Sequence, residues 1–340
     1  MIVVSTGCPA GVGPEVSVAA AVQLRGVRVV LVGDPDTLFA AARSVGVPEK
    51  KFAVVDSAAP RVRSNGAARP HRAVEILAAG PPLNPKDRTP GKPSKKAGAA
   101  ELAYVDRAYD FAKATPGCAL VSGPVSKAAI AHCGAPGAEA FRGHTEWLRD
   151  RDRAPYAIMC FAAPGLATSL VTTHLSLRDV PRAITKEGVR DSTIELVELL
   201  RKTGKRKPRV AVTSLNPHAG EGELFGDEER RAILPGIAEA KKTVGGAARI
   251  VGPVGAETAY RLMRAGKYDG VVAMYHDQAT IPMKLVAFGD AVNVTMGLSV
   301  VRTSVDHGTA YDIAWTGKAD PGGMVAAMKL AERLVSGRTA

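Results

Sequence analysis

The sequence is poor in aromatic residues, at 5% of 340 residues with two tryptophans, and poor in cysteine, with four. So few aromatics argue against a platform that stacks the bases of a single strand. Cys8, Cys118, Cys133 and Cys160 are scattered and form no CxxC pair. That is too little for a disulfide framework and fits a reducing, cytoplasmic compartment. No basic segment precedes the opening apolar run Ile2-Val3-Val4, which passes straight into a Gly/Pro turn and reads as a first strand, with no signal peptide. The longest uncharged stretch, 154–177, is cut by Pro155, Pro164 and Gly165 into two short β-rich runs. A buried hairpin or strand pair is expected there and a membrane span is not. Acidic residues are also in deficit, 33 against 45 basic ones, for a net charge of +12. Such a surface admits nucleic acid, an anionic membrane or anionic small molecules, but bulk charge alone speaks to solubility and non-specific binding. Neither nucleic acid nor membrane is expected as a partner.

What is present is rhythm. Strand-like runs at 27–32, 118–121, 209–215, 250–252, 270–275 and 292–296 alternate with helical stretches at 96–113, 185–202, 227–242 and 324–335. In the second of these helices Val189, Ile194, Val197 and Leu200 recur at near-helical spacing behind a Thr185 N-cap. The alternation predicts α/β layers with a largely parallel sheet. One stretch breaks it: 57–96, with prolines at 81, 82, 85, 90 and 93, reads as a long irregular surface excursion with room for a short strand pair.

Three of the seven histidines end apolar β-rich runs: His174, His218 and His276. Ligands of open α/β sheets bind beyond the carboxyl ends of strands. Three imidazoles brought together there would make an open divalent-metal site. Any one alone reads better as a hydrogen-bonded structural histidine; the shared context shifts the balance, though spacing cannot prove that they meet. A second group has anion-site character. Gly143-His144-Thr145-Glu146 reads as a turn feeding a helix, where backbone N–H groups and the helix dipole favour phosphate or carboxylate. Lys284, Asn293 and Arg302 could add charge, a hydrogen bond and a bidentate fork. Thr6-Gly7-Cys8-Pro9-Ala10-Gly11-Val12-Gly13-Pro14-Glu15 joins a strand to a helix, yet it is neither GxGxxG nor GxxxxGK[ST], so no Rossmann or P-loop fingerprint is present. Ser122-Gly123-Pro124-Val125-Ser126-Lys127 is another strand-to-helix turn, with Lys127 near a strand end.

Together with Phe141-Arg142-Gly143-His144-Thr145-Glu146, Leu215-Asn216-Pro217-His218-Ala219-Gly220-Glu221-Gly222, Met274-Tyr275-His276-Asp277-Gln278 and Arg302-Thr303-Ser304-Val305-Asp306-His307-Gly308-Thr309-Ala310, these turns resemble the 4-hydroxythreonine-4-phosphate dehydrogenase family along nearly the whole chain. The resemblance implies an isocitrate/isopropylmalate-dehydrogenase-like fold, two α/β domains around a central cleft, divided as 1–130 plus 300–340 and 131–299. It implies a homodimer whose metal, Zn, Mg or Co, is held by His174, His218 and His276 from both subunits. His144, Thr145, Lys284, Asn293 and Arg302 match substrate-binding positions, and NAD or NADP is the implied cofactor, with Asp306, Gly308 and Thr309 as candidates for part of its pocket. Lys127, Glu257 and Asp277 are candidate general bases. The implied reaction is oxidation of 4-hydroxythreonine-4-phosphate to 2-amino-3-oxo-4-phosphooxybutanoate and decarboxylation to 3-amino-2-oxopropyl phosphate, in pyridoxal phosphate synthesis. Four positions depart from the family pattern: Cys8 and Glu257 stand where an acidic residue and an Asp are usual, Ser126 replaces His or Asn, and Ser176 replaces Pro. They leave open relatives that act on erythronate or threonate 4-phosphate or on an aromatic dihydrodiol. A metal-dependent phosphatase is a remoter alternative and a basic nucleic-acid binder the remotest.

Overall fold

The computed structural model describes residues 1–56, 73–287 and 289–337. The chain divides into two compact units, Met1–Pro155 with Leu298–Ser336, and Tyr156–Gly297. The junctions therefore lie at 155/156 and 297/298, so that 131–155 packs with the first unit.

In chain order the first unit starts with β1 (Ile2–Ser5), α1 (Gly13–Ala21), β2 (Val29–Gly33), α2 (Pro35–Ser44), β3 (Phe52–Val55) and β4 (Val74–Ala78). It continues through α3 (Lys95–Ala114), β5 (Ala119–Ser122), α4 (Lys127–Ala131) and α5 (His144–Asp152). The second unit holds β6 (Ile158–Ala163), β7 (Leu166–Leu170), α6 (Val180–Ala183), α7 (Lys186–Lys202), β8 (Arg209–Thr213) and α8 (Leu234–Val244). After these come β9 (Arg249–Val254), α9 (Ala256–Arg264), β10 (Gly270–Ala273), α10 (His276–Ala287) and β11 (Val292–Met296). The chain then returns to the first unit as β12 (Arg302–Ser304) and α11 (Gly322–Ser336).

Six strands of the first unit run in the order β3-β4-β2-β1-β5-β12, every pair parallel. Parallel sheets are covered on both faces, which is why β1, β2 and β5 are continuous apolar runs with every residue buried. The chain winds from β1 toward β2 on one side, then crosses through α3 to β5 on the other. The switch point therefore lies between the carboxyl ends of β1 and β5, where such folds bind ligands.

The 20-residue helix α3 starts at a Ser94 N-cap that accepts from Ala97 N, 3.0 Å away, and buries Ala97, Ala100, Tyr104, Val105 and Ala108 against the sheet. Its Gly98 is required by packing: a Cβ there would stand 2.1 Å from the Ala129 carbonyl oxygen of α4.

The excursion expected at 57–96 needs correction where it is described; residues 57–72 lie outside the described residues. Residues 74–78 form β4, an interior strand between β2 and β3. Its charge disguises it in the sequence. Glu75 accepts from both Nε and Nη2 of Arg28, at 3.0 and 2.8 Å, so a carboxylate that reads as solvent-facing is paired inside the edge of the sheet.

In the second unit the order is β11-β6-β7-β10-β8-β9. β6 and β7 form the hairpin expected from 154–177, turning at Gly165 with φ 75°. β11 is antiparallel to β6, whereas β7, β10, β8 and β9 are mutually parallel neighbours. α7 begins behind Thr185, whose side chain accepts from Gly188 N, and buries Val189, Leu196, Val197 and Leu200. The helix expected over 227–242 forms as a π-helical turn, Glu229–Ile233, running into α8.

Candidate functional site

The first unit gathers charge around the start of α5. Gly143 precedes the helix, and Lys127 comes close to it: a Cβ on Gly143 would lie 3.8 Å from Lys127 Nζ and 2.8 Å from Glu146 Oε2. Arg302 enters from β12, is buried, and donates through Nε to Ser122 Oγ at 3.2 Å. Burial pulls its guanidinium down to about 10, against the favourable charge of Glu146. The His144 ring packs edge-on to Phe141. Burial, then the charges of Arg302 and Lys127, hold its pKa well below the usual histidine value, so the ring is neutral. Its buried Nε2 has no hydrogen-bond partner, a polar atom left for something else to meet. Thr145 is half-buried in the first turn of the same helix.

The turns at the β1/β5 switch point are packed backbone to backbone. Gly7, with φ 79°, would bring a Cβ within 2.3 Å of Pro124 O, and Cys8 N donates to that same oxygen at 2.8 Å. Gly123 N donates to Ser5 O at 2.8 Å. Thr309 lies on the glycine turn: its carbonyl accepts from Val12 N at 2.9 Å and stands 2.7 Å from a Cβ built on Gly11. Gly308 is exposed beside it, its carbonyl 2.9 Å from His307 Nδ1, and Asp306 is half-buried. Glu15 at the head of α1 holds the segment that follows, accepting from Trp315 N at 2.6 Å and Gly317 N at 2.9 Å. The sequence reading gave Glu15 no task beyond its place in a motif.

The second unit sets the three strand-end histidines on adjacent parallel strands. His174 follows β7, His276 opens α10 directly after β10, and His218 lies beyond β8. The His174 and His276 rings are 5.6 Å apart between centroids. His276 Nδ1 is 2.7 Å from Asp277 Oδ1, a contact that orients the ring. His218 sits in a loop of left-handed backbone, with φ 53°, 55° and 44° at His218, Ala219 and Glu221, and its ring stands 6.4 Å from Phe225. Non-glycine residues in that region are strained and persist only where surroundings over-determine them. Here Glu229 does so: Oε1 accepts from Leu215 N and Asn216 N, and Oε2 from Asn216 Nδ2, all within 2.9 Å. Among the described residues no group of three or more His, Cys, Asp or Glu side chains is placed to hold an ion.

Gln278 ties strand ends together, a part that only the structure reveals. Its Oε1 accepts from Thr213 Oγ1 and Met274 N, at 2.8 and 2.6 Å, and its Nε2 donates to Ser214 O at 2.9 Å. One side chain thus ties the end of β8, which leads to His218, to the end of β10, which leads to His276. No signal in a single sequence marks a glutamine as a tie between strands. Lys284 is exposed on α10, whereas Asn293 faces inward from β11 with a buried Oδ1 that has no hydrogen-bond partner. Glu257 is exposed in the first turn of α9, bonded to Thr258.

The family model of pyridoxal phosphate biosynthetic protein PdxA matches residues 25–331. The chain belongs to that family. Proteins named 4-hydroxythreonine-4-phosphate dehydrogenase from Desulfosudis oleivorans and Burkholderia vietnamiensis are 40% and 39% identical to it, covering 97% and 100% of this chain and 95% and 98% of theirs. A Bradyrhizobium diazoefficiens protein provisionally named D-threonate 4-phosphate dehydrogenase is 35% identical over 100% of this chain and 98% of its own. The crystal structure of the 4-hydroxythreonine-4-phosphate dehydrogenase of Klebsiella pneumoniae aligns with a TM-score of 0.79 at 35% identity, covering 98% of this chain and 99% of that one. The two units and the structural match bear out the α/β fold class expected from the sequence.

Proposed function

We propose that this PdxA-family chain is an NAD(P)- and divalent-metal-dependent dehydrogenase. It oxidises 4-hydroxythreonine-4-phosphate to 2-amino-3-oxo-4-phosphooxybutanoate, which loses CO2 to give 3-amino-2-oxopropyl phosphate. Beside the family membership, one observation carries the reading: buried Arg302, neutral His144 and Lys127 converge on the start of α5. A phosphomonoester suits that set. The guanidinium offers a fork of donors, the helix start offers N–H groups, and His144 Nε2, when protonated on that atom, offers a further donor. Thr145 adds a hydroxyl, and in the second unit Lys284 and Asn293 are proposed separately as substrate-binding residues. Asp306, Gly308 and Thr309 border the glycine turn, where the nicotinamide dinucleotide is proposed to lie.

His174 and His276 form a pair that fits two ligands of a divalent ion such as Zn, Mg or Co. By the family resemblance we infer that His218 completes the set across a homodimer, each subunit supplying ligands. Exposed Leu177, Leu224, Ile281 and Leu285 on the same segments are 58–82% accessible, an apolar surface of the kind that subunits cover. Held by His174, His218 and His276, a cation would supply Lewis acidity toward the substrate hydroxyl, and a nicotinamide dinucleotide beside Asp306, Gly308 and Thr309 would supply a hydride acceptor. The hydroxyl proton needs a base. For it we propose one of Lys127, Glu257 and Asp277, of which Asp277 lies against His276 and Glu257 against Thr258. A cytoplasmic location is part of the proposal, and four scattered free cysteines suit it.

The test is NADH formation from 4-hydroxythreonine-4-phosphate, after chelation and with Zn2+, Mg2+ or Co2+ restored. Metal-restored turnover is expected. Phosphate release without NADH would replace this reading with a phosphatase. The Bradyrhizobium relative favours one second reading, D-threonate 4-phosphate as substrate. Faster NADH formation from the non-aminated acid phosphate in the same assay would establish it.

A further inference from the structure

Glu101 is a fully buried carboxyl on α3 that the proposed reaction does not use. It lies one helical turn beyond Gly98, whose missing side chain lets α4 close on α3. That approach brings Glu101 to the switch point of the first sheet. Its Oε2 accepts from Ser126 N at 2.7 Å, in the β5–α4 turn, and the carboxyl also meets the thiol of Cys8, in the β1–α1 turn. Its Oε1 is buried with no hydrogen-bond partner in standard geometry. Tyr311 closes the group from a third segment, with its hydroxyl 3.6 Å from Cys8 Sγ.

We propose that Glu101, as a neutral carboxylic acid, is a positioning residue that ties the Cys8 turn to the Ser126 turn and so holds the ligand-facing backbone at the β1/β5 switch point. A neutral acid offers a donor as well as acceptors, which is what a thiol on one side and an N–H on the other can use. An ionised carboxylate would be a buried anion with no cation among these neighbours. The proposal rests on the dehydrogenase reading only for the identity of the ligand, a nicotinamide dinucleotide.

Glu101 is the group here that titrates near neutrality. Burial pushes it up to about 8, against the Ser126 N–H and the Cys8 thiol, which pull it down. The groups around it stay neutral through that range. Burial and then Glu101 push the Cys8 thiol far up. Burial and then Asp34 do the same to Tyr104 on the same helix, and burial takes Tyr311 to about 12. Lys127, next to Ser126 in the chain, is exposed. The folded-state value lies above the unfolded one, and for an acid this means the cost of keeping it protonated grows as pH rises from about 4.5 to about 8. Above that, ionisation releases the tie.

Trp315 reports on the turn without any ligand, since its Nε1 donates to Pro9 O at 2.9 Å, next to Cys8. In a Trp147→Phe background it is the sole indole, because the chain has two tryptophans. Its emission is expected to change with a midpoint near pH 8 in the parent. Glu101→Gln, an isosteric neutral side chain, should abolish the transition, and Glu101→Ala should resemble the high-pH form throughout. At pH 9 about a tenth of Glu101 remains neutral, so Kd for NAD+ should rise about tenfold from pH 7 in the parent and stay flat in Glu101→Gln. A transition that survives in Glu101→Gln, or none in the parent between pH 6 and 10, would overturn the proposal. Failure of NAD+ to bind the parent at any pH would count against the dehydrogenase reading, and the fluorescence would still decide for or against Glu101.

Discussion

The two units solve the same problem, presenting polar chemistry at the carboxyl ends of parallel strands, by opposite means. The first buries it. Arg302, Glu15 and Glu101 are all less than 5% exposed, and glycines at 7, 11 and 123 let backbones touch. The second leaves its histidines near solvent and buys order with ties between strands: Gln278 joins β8 to β10, and Glu229 clamps the left-handed His218 loop. A buried set is already shaped for a ligand, whereas an exposed set with apolar neighbours fits the homodimer proposed above. Substitutions at the second unit's histidines and their ties should therefore act on metal and assembly, and those around Arg302 in the first on binding of the phosphorylated substrate.

The largest break should come at the second unit. His276→Ala is expected to reduce NADH formation to background while leaving the fold intact by circular dichroism; near-normal turnover in metal-replete buffer would remove His276 from the ligand set. In the first unit, Arg302→Ala loses a charge-assisted hydrogen bond to phosphate worth about 1.5–3 kcal/mol, which raises KM roughly tenfold to a hundredfold. Lys284→Ala should raise KM less, because the lysine is exposed and solvent screens its charge. Equal losses on a non-phosphorylated analogue would show that neither residue reads the phosphate.

Gln278 sharpens the contrast. A residue that orients metal ligands typically costs about 10–100-fold in metal affinity or activity when removed. Gln278→Ala should weaken metal binding on that scale, seen by titrating metal into the stripped protein. Glu101→Ala, in the first unit, should leave metal affinity unchanged. If both variants lose metal equally, the division of labour between the units is wrong.

How much of this could be read in the sequence follows from what each feature depends on. β2, β5, β8 and β10 were visible because buried parallel strands are near-continuous apolar runs, and antiparallel β11 because Val292, Val294 and Met296 alternate along it. The start of α7 was visible because Thr185 caps it. β4 was hidden because Glu75 and the prolines around it look like surface, and only the approach of Arg28 from the next strand makes a buried-edge carboxylate acceptable. The His-rich strand ends were legible as residues, but which of them meet depends on tertiary contacts: His174 and His276 pair through adjacent β7 and β10. Gln278 reaches a partner 65 residues away, Glu229 one 14 residues away and Glu101 one 25 residues away, and no local pattern encodes such distances.

The smallest expected effect compares one buried-edge aspartate in each unit. Asp152, at the end of α5, accepts from Ser299 N and Oγ and from Tyr109 OH, each at 2.5 Å, and from Lys113 Nζ at 3.0 Å. Burial alone would raise its pKa, but these donors outweigh it and hold the carboxyl well below the usual range. Asp269, before β10, accepts from Arg209 N and its guanidinium and pairs with Lys205; burial is again outweighed, and it is lowered to about 2. Both folded values lie below the unfolded value near 4. Each aspartate thus contributes stability that is present above pH 4 and lost as pH falls through the folded value. Asp152→Asn and Asp269→Asn should each lower Tm modestly at pH 7 and flatten its decline between pH 4 and 2. Salt separates them. Asp269 leans on two exposed cations, and screening them with about 0.5 M NaCl should erase much of the Asp269→Asn effect. Asp152 leans mostly on neutral donors, so its effect should persist. Matching salt responses would mean that Lys113 dominates at Asp152, and that the first unit is held by surface charge at this point after all.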